Sequence, residues 1–284
     1  QKQDAEINAI QKIAVSAHPK RKFHASFNGF SADLSETDVK NLQNKGYQVW
    51  PNEKVKAVLQ DSVPLINADD VWQLKDIHNQ NITGKGVTIA IIDTGVDYTH
   101  SDLGGCLGVN CKVIGGYDFI NNDNDPIDDM GHGTHVAAIA AGNGILKGVA
   151  PDASILAYKV LNSEGSGSFE QVIAGIDRAL DPNQDGDLSD KVDVMNLSLG
   201  GPGNPDDPQS QAIDNAVNSG VVAVVAAGNR GPAYQSIGSP GTAKEAITVG
   251  ASTKQDEVIY FSSRGPVFWT NNKNIEQALI KPDI

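Results

Sequence analysis

Four stretches of the chain are almost continuously apolar: VTIAIID at 87–93, SILAYKV at 154–160, VDVMNLSL at 192–199 and VVAVVAAG at 221–228. Short runs of this kind, rich in β-branched residues, fit parallel strands covered on both faces. Segments of helical period lie between them. THVAAIAAG follows Gly133. FEQVIAGIDRAL, at 169–180, sets Val172, Ile173, Ile176 and Leu180 on one stripe, and SQAIDNAVNSG, at 210–220, ends on a glycine. Strands alternating with helices predict an α/β fold, a parallel central sheet with helices on both faces.

The rhythm before residue 86 is different. Residues 1–20 show little pattern and read as a frayed end. KFHASFNGF, at 22–30, alternates Phe23, Ala25 and Phe27 with polar neighbours, as a strand does. Ser35 then precedes a helical stretch with Asp38 three residues on, Val39 and Leu42 at helical spacing, and Gly46 as a stop. VKAV at 55–58 alternates again. The pattern predicts a small α+β domain over residues 1–60, followed by a larger one over 61–284. A connector at 60–85 contains Pro64 and a short helical stretch around Val71–Ile77.

Composition narrows the function. The net charge of −13 argues against a nucleic-acid partner. The charge is uneven: residues 1–66 hold nine Lys/Arg and seven Asp/Glu, the remainder 13 and 28. A slightly basic small segment ahead of an acidic large one suits two parts that dock. No apolar run approaches the roughly 20 residues of a membrane span, so no membrane partner is expected. The chain starts at Gln1 with no basic-then-apolar leader, and any leader is expected to have been removed. Cys106 and Cys111, in a glycine-rich stretch, are spaced for a small disulfide loop or for two free thiols.

Three polar residues fall where such folds gather their chemistry, beyond the carboxyl ends of strands. Asp93 closes VTIAIID, His132 stands in GHGTH at the head of a helix, and Asn229 follows VVAVVAAG. Each alone is an ordinary turn or cap residue. Together they are a carboxylate to orient an imidazole, an imidazole to accept a proton, and an amide to stabilise an oxyanion.

The strings AIIDTGVDYTHSDL, GHGTHVAAIAAG and VVAAGNRG resemble the Asp, His and oxyanion-Asn signatures of the subtilase family of serine proteases. VMNLSLGG, SPGTAKEAITVGAS and FSSRGP resemble its connecting segments, and the likeness is nearest to the extracellular Vpr-like group. The resemblance implies a subtilisin-like fold and a secreted endopeptidase of broad specificity acting on protein or peptide substrates. Asp93 would be the triad acid, His132 the base, Asn229 the oxyanion donor, and His135 structural. It implies that peptide lies between two chain edges, Gly165, Ser166 and Gly167 opposite Ser198, Leu199 and Gly200. Ala226, Ala227 and Gly228 would wall the S1 pocket. The family's nucleophile stands in a GTSMA-type motif that this sequence does not contain. The expectation is therefore that the serine lies beyond Ile284 or on a second chain, and that this chain is inactive alone. A non-catalytic peptide-binding protein on the same scaffold is the alternative.

Residues 1–60 resemble the family's propeptide, a ferredoxin-like domain acting as intramolecular inhibitor of a zymogen, with LQDSVPLI (59–66) as the cleavage neighbourhood. Structural calcium is expected in two acidic stretches. Asp181, Asn183 and Asp185, followed by Gly186, open an EF-hand-type loop whose twelfth position is Val192 instead of Glu. Asp118, Asp123 and Asp125 resemble another calcium loop of the family, and Asp102 matches a ligand of a further site without an evident partner loop.

Overall fold

The computed structural model describes residues 2–23, 29–49, 59–271 and 273–284. The chain divides into two compact units, Gln1–Ala57 and Val58–Ile284.

In the first unit, helix α1 (Lys2–Gln11) precedes a hairpin of β1 (Arg21–Phe23) and β2 (Gly29–Ser31), and helix α2 (Glu36–Asn44) follows. Helix α1 occupies the end that reads as frayed. Its segment is made of good helix formers, and Ile7 and Ile10 fall three apart on one side. Ile7 is buried, and Ile10 packs with Ala14, Ala17 and Leu42. The stretch 22–30, which reads as one strand, contributes to both β1 and β2, and these pair antiparallel. Residues 24–28 and the expected strand at 55–58 lie outside the described residues. At the start of α2 the Ser35 hydroxyl accepts the Asp38 N–H at 3.1 Å, as its spacing predicts.

The second unit opens with α3 (Leu59–Leu65), over the expected cleavage neighbourhood, and α4 (Ala68–Val71). The short helix expected at Val71–Ile77 thus lies earlier. The Asp76 carboxylate accepts the N–H groups of His78 and Gln80, a local turn that competes with helix there.

A six-stranded sheet follows, formed by β3 (Thr88–Asp93), β4 (Val113–Asp118), β5 (Ser154–Lys159), β6 (Val194–Leu197), β7 (Val222–Ala226) and β8 (Ile247–Val249). Its order is β4-β5-β3-β6-β7-β8, and every neighbouring pair is parallel. Alternate residues of β3 face opposite layers. Ile89 and Ile91 join Val113, Ile155 and Ala157 under α5 (His132–Ala141), which contributes Ala137 and Ala141. Ala90 and Ile92 join Tyr158, Met195 and Leu197 under α6 (Phe169–Leu180) and α7 (Pro208–Asn218). Two covered faces are the reason β3, β5 and β6 read as unbroken apolar runs, whereas β7 packs Ala223 and Val225 on one face and leaves Val222 exposed on the other. Helix α6 starts at a capping box between Ser168 and Gln171. Strand β4 has no such apolar signature. VIGGYD carries Gly115 and Gly116, and a Cβ on Gly116 would lie 1.9 Å from the Ala157 carbonyl oxygen. A hairpin of β9 (Val267–Thr270) and β10 (Glu276–Leu279) lies near the end of the chain.

From β3 the chain moves two places outward to β4, returns to β5, then crosses to β6 on the other side of β3. Strand addition reverses beside β3. Such a reversal opens a crevice at the carboxyl end of that strand.

Candidate active site

Asp93 is the last residue of β3, and its side chain is wholly buried. Its Oδ1 lies 2.7 Å from His132 Nδ1 and also accepts the Thr94 N–H at 2.7 Å. A carboxylate only accepts hydrogen bonds, so Nδ1 is the donor in this contact and Nε2 is left free to face another group. His132 opens α5 and is 43% exposed at its side chain. The close approach of helix to strand depends on Gly133, where a Cβ would lie 2.1 Å from the Gly95 carbonyl oxygen. The other Asp93 oxygen, Oδ2, is buried with no hydrogen-bond partner among the described residues. Burial pushes the Asp93 carboxyl above its usual range, with the His132 contact opposing it.

Two further side chains hold this geometry. Asp128 Oδ1 accepts the Thr94 hydroxyl and the N–H groups of Met130 and Gly131, all at 2.8–2.9 Å. Its Oδ2 accepts the N–H of Thr134 at 2.9 Å and its hydroxyl at 2.5 Å. Burial raises this carboxyl too, but the bonds from Gly131, Thr134 and Met130 outweigh it and hold Asp128 below the usual range. Lys159 ends β5 beside Asp93 and is 1% exposed. Its ammonium donates to the Thr94 carbonyl at 2.8 Å, the Leu161 carbonyl at 3.2 Å and Asp129 Oδ1 at 2.6 Å. Neither residue is among the sequence candidates. Lys159 had a signal, a lone cation inside an apolar strand; Asp128 had only its place in a turn.

His132 and Thr94 border a pocket of about 440 Å³. Gly165, Ser166 and Gly167 line it, as do Ser198, Leu199 and Gly200, so the two candidate substrate edges share one cavity. Met130, Leu161, Phe169, Val172 and Gln209 complete its wall. Asn196, half-buried in β6, donates its side-chain N–H to the Ser198 hydroxyl at 3.0 Å. Ala226, Ala227 and Gly228 do not border this pocket. Ala227 packs instead against Ile237 and Val267. Asn229 is exposed beyond β7, the strand next to β6. His135 is exposed on α5.

The expected metal ligands fare unevenly. No group of three His, Cys, Asp or Glu side chains suited to a metal occurs among the described residues. Asp118 is consumed by its own turn: Oδ1 accepts the N–H groups of Ile120 and Asn121, and Oδ2 accepts the Asn121 side chain. Asp125 accepts the Tyr98 hydroxyl, and Asp123 accepts the Asp125 N–H. Those three are not brought together around one centre. Asp102 is engaged likewise, by the N–H groups of Ile145 and Leu146. At 181–190 the donors curl into one loop. Asp185 N–H bonds both Asp181 and Asn183, Gly186 N–H bonds Asp181, and Gly186 takes a φ of +84°. Val192, at the twelfth position, is buried in the core. The loop's own N–H groups occupy both Asp181 oxygens and Asn183 Oδ1, as they do at Asp118; what distinguishes this stretch is that two carboxylates and an amide oxygen, donors of the type a hard cation takes, share one loop. Cys106 and Cys111 form a disulfide.

The family model for subtilases, Peptidase_S8, matches residues 84–284. The chain belongs to the subtilase family. It is 40% identical over 311 aligned positions to the minor extracellular protease Vpr of Bacillus subtilis (strain 168), covering 95% of this chain and 36% of that protein. It is 38% identical to the serine protease AprX of the same organism, over 80% of this chain and 52% of that one. With subtilisin DY of Bacillus licheniformis the identity is 40%, over 72% and 68%. This subtilase chain thus spans between a third and about half the length of the first two. Among solved structures, a cold-adapted subtilisin-like serine proteinase superposes with a TM-score of 0.52 at 30% identity, covering 76% of this chain and 78% of that one.

Proposed function

We propose that this subtilase chain supplies the acid, base and oxyanion donor of a secreted serine endopeptidase whose nucleophile is a serine. The observation that carries the reading is the 2.7 Å contact of His132 Nδ1 with buried Asp93, on a pocket bordered by two chain edges. Peptide added as a strand between those edges is held by its main chain, which gives broad specificity. The serine oxygen attacks the scissile carbonyl carbon while His132 Nε2 takes its proton. Asp93 holds the imidazole in the required tautomer and stabilises the imidazolium. Asn229 donates to the oxyanion. The C–N bond then breaks as His132 returns the proton to the leaving amine, and water repeats the sequence to free the acid.

Residues 1–60 act as propeptide in this reading, an intramolecular inhibitor of a zymogen. The disulfide supports an oxidising compartment, and the relative Vpr is named an extracellular protease. Asp181, Asn183 and Asp185 would hold a structural calcium ion that rigidifies the loop after α6. No helix of the described residues is long and apolar enough to cross a membrane.

The test is a fluorophosphonate probe applied to the matured full-length product. Labelling and peptide hydrolysis are expected, and both are expected to vanish in His132→Ala. A wild-type product that neither labels nor cleaves would overturn the proposal in favour of a peptide-binding protein.

A further inference from the structure

We propose that Gln209 makes the pocket selective for a substrate side chain with an apolar body and a neutral hydrogen-bonding tip, glutamine above all. The inference rests on the peptidase reading and names a substrate preference for that site.

Gln209 is the second residue of α7. It is 2% exposed and lines the pocket. The polar residues beside it are engaged. Asp207 caps the helix through the Ser210 N–H, and the Ser210 hydroxyl contacts Ser239 and Thr242. The Gln209 carboxamide has no hydrogen-bond partner among the described residues. Its polar atoms are not sealed off from the pocket either, in contrast to Asp93 Oδ2. An amide so placed has two donors and an acceptor to offer to whatever enters.

The surrounding wall is hydrocarbon: Leu161, Phe169, Val172 and Leu199. It favours the body of any apolar side chain. The tip decides between candidates. A leucine or phenylalanine would strip water from the Gln209 amide and leave it unpaired, which is the costly case for a buried polar group. A glutamine would meet it with reciprocal N–H···O bonds. A tyrosine hydroxyl would make one such bond. A glutamate would lose half the pairing and bring a charge out of water into an acidic molecule. The expected order is Gln, then Tyr, then Leu and Phe, with Glu last.

The experiment uses the matured full-length enzyme and fluorogenic peptides carrying Gln, Leu or Glu in turn at each of the four positions on the acyl side. At one position kcat/KM for Gln is expected to exceed that for Leu by about tenfold. In Gln209→Leu and Gln209→Met that ratio falls below one. Each ratio is measured on one sample, so a loss of folded protein cancels. Ratios that move less than twofold at every position, with hydrolysis intact, overturn this inference and leave the peptidase reading standing. If wild type cleaves nothing, the peptidase reading fails and the same peptides are tested for binding by fluorescence anisotropy. A Gln-over-Leu affinity ratio that is lost in Gln209→Leu then sustains the inference. Equal ratios, or no binding, overturn it.

Discussion

Asp93 and Asp128 are two carboxylates of one small region, and their surroundings drive them in opposite directions. Asp128 accepts five hydrogen bonds through its two oxygens and is held below the usual carboxyl range despite partial burial. Asp93 is wholly buried, uses one oxygen for Thr94 and His132, keeps the other unpaired among the described residues, and is pushed above that range. Hydrogen bonds to the ionised form win at Asp128; desolvation wins at Asp93. The first arrangement secures a loop. The second keeps a carboxylate under strain of desolvation beside an imidazole, an arrangement that is costly for folding and suited to orienting a base.

The sharpest way to break the comparison is Asp93→Asn. The proposed peptidase activity should fall by about 10⁴-fold in kcat/KM. The variant should nevertheless melt at or above the wild-type temperature at pH 7, because the end of β3 then buries no carboxylate charge. A carboxyl whose folded pKa is raised favours folding below its unfolded value and loses that contribution as pH rises through the folded one. The stability difference should therefore shrink as pH falls toward about 4. A variant that melts well below wild type at pH 7 would remove the contrast.

Asp128→Ala should behave in the opposite sense, losing about 2 kcal/mol of stability at pH 7 as the head of α5 loses its anchor. Here the folded pKa is lowered, so the contribution is present above about pH 4 and is lost as pH falls through the folded value. Thermal melts from pH 7 to pH 3 should show the two curves of variant and wild type converging. Parallel curves would deny Asp128 its role.

Lys159→Met should cost about 1–2 kcal/mol, since it leaves the Thr94 carbonyl without its donor and Asp129 without its cation, while filling the same space. Activity should fall further than stability accounts for, through a looser Asp93–Thr94 turn; Lys159→Arg is the control, and an unchanged kcat/KM in Lys159→Met would count against a positioning role. The smallest effect concerns the acidic loop far along the chain. Calcium should raise the melting temperature by a few degrees, chelator should reverse it, and Asp181→Ala should abolish the increment. A melting temperature indifferent to calcium would remove the ion from that loop.

Much of the sheet was legible in advance. Strands β3, β5 and β6 announce themselves because both faces contribute to the core and leave no polar alternation to interpret; β7 reads as apolar too, although it buries one face and leaves Val222 46% exposed. Helix α6 was legible from its apolar stripe, and the structure adds the Ser168–Gln171 capping box at its start. Strand β4 was not, because close approach to Ala157 demands glycines that carry no strand signal. Helix α1 was missed because its apolar residues are few and its partners, Ala14, Ala17 and Leu42, are invisible until packed.

The site divides along the same line. Local motifs single out Asp93, His132 and Asn229 because strand ends and glycine-rich turns are short-range features, written in consecutive residues. Such motifs also place the subtilase family within reach of the sequence alone. The 2.7 Å contact between Asp93 and His132, the capture of Asp102 by the N–H groups of Ile145 and Leu146, and the anchors Asp128 and Lys159 were decided by tertiary structure. So was Gln209, which reads as an ordinary helix residue until α7 carries it into the pocket wall. The physical reason is the same in each case. A hydrogen bond or an unpaired amide depends on which distant groups share the space, and that is set by how strands and helices pack, not by the residues adjacent in the chain.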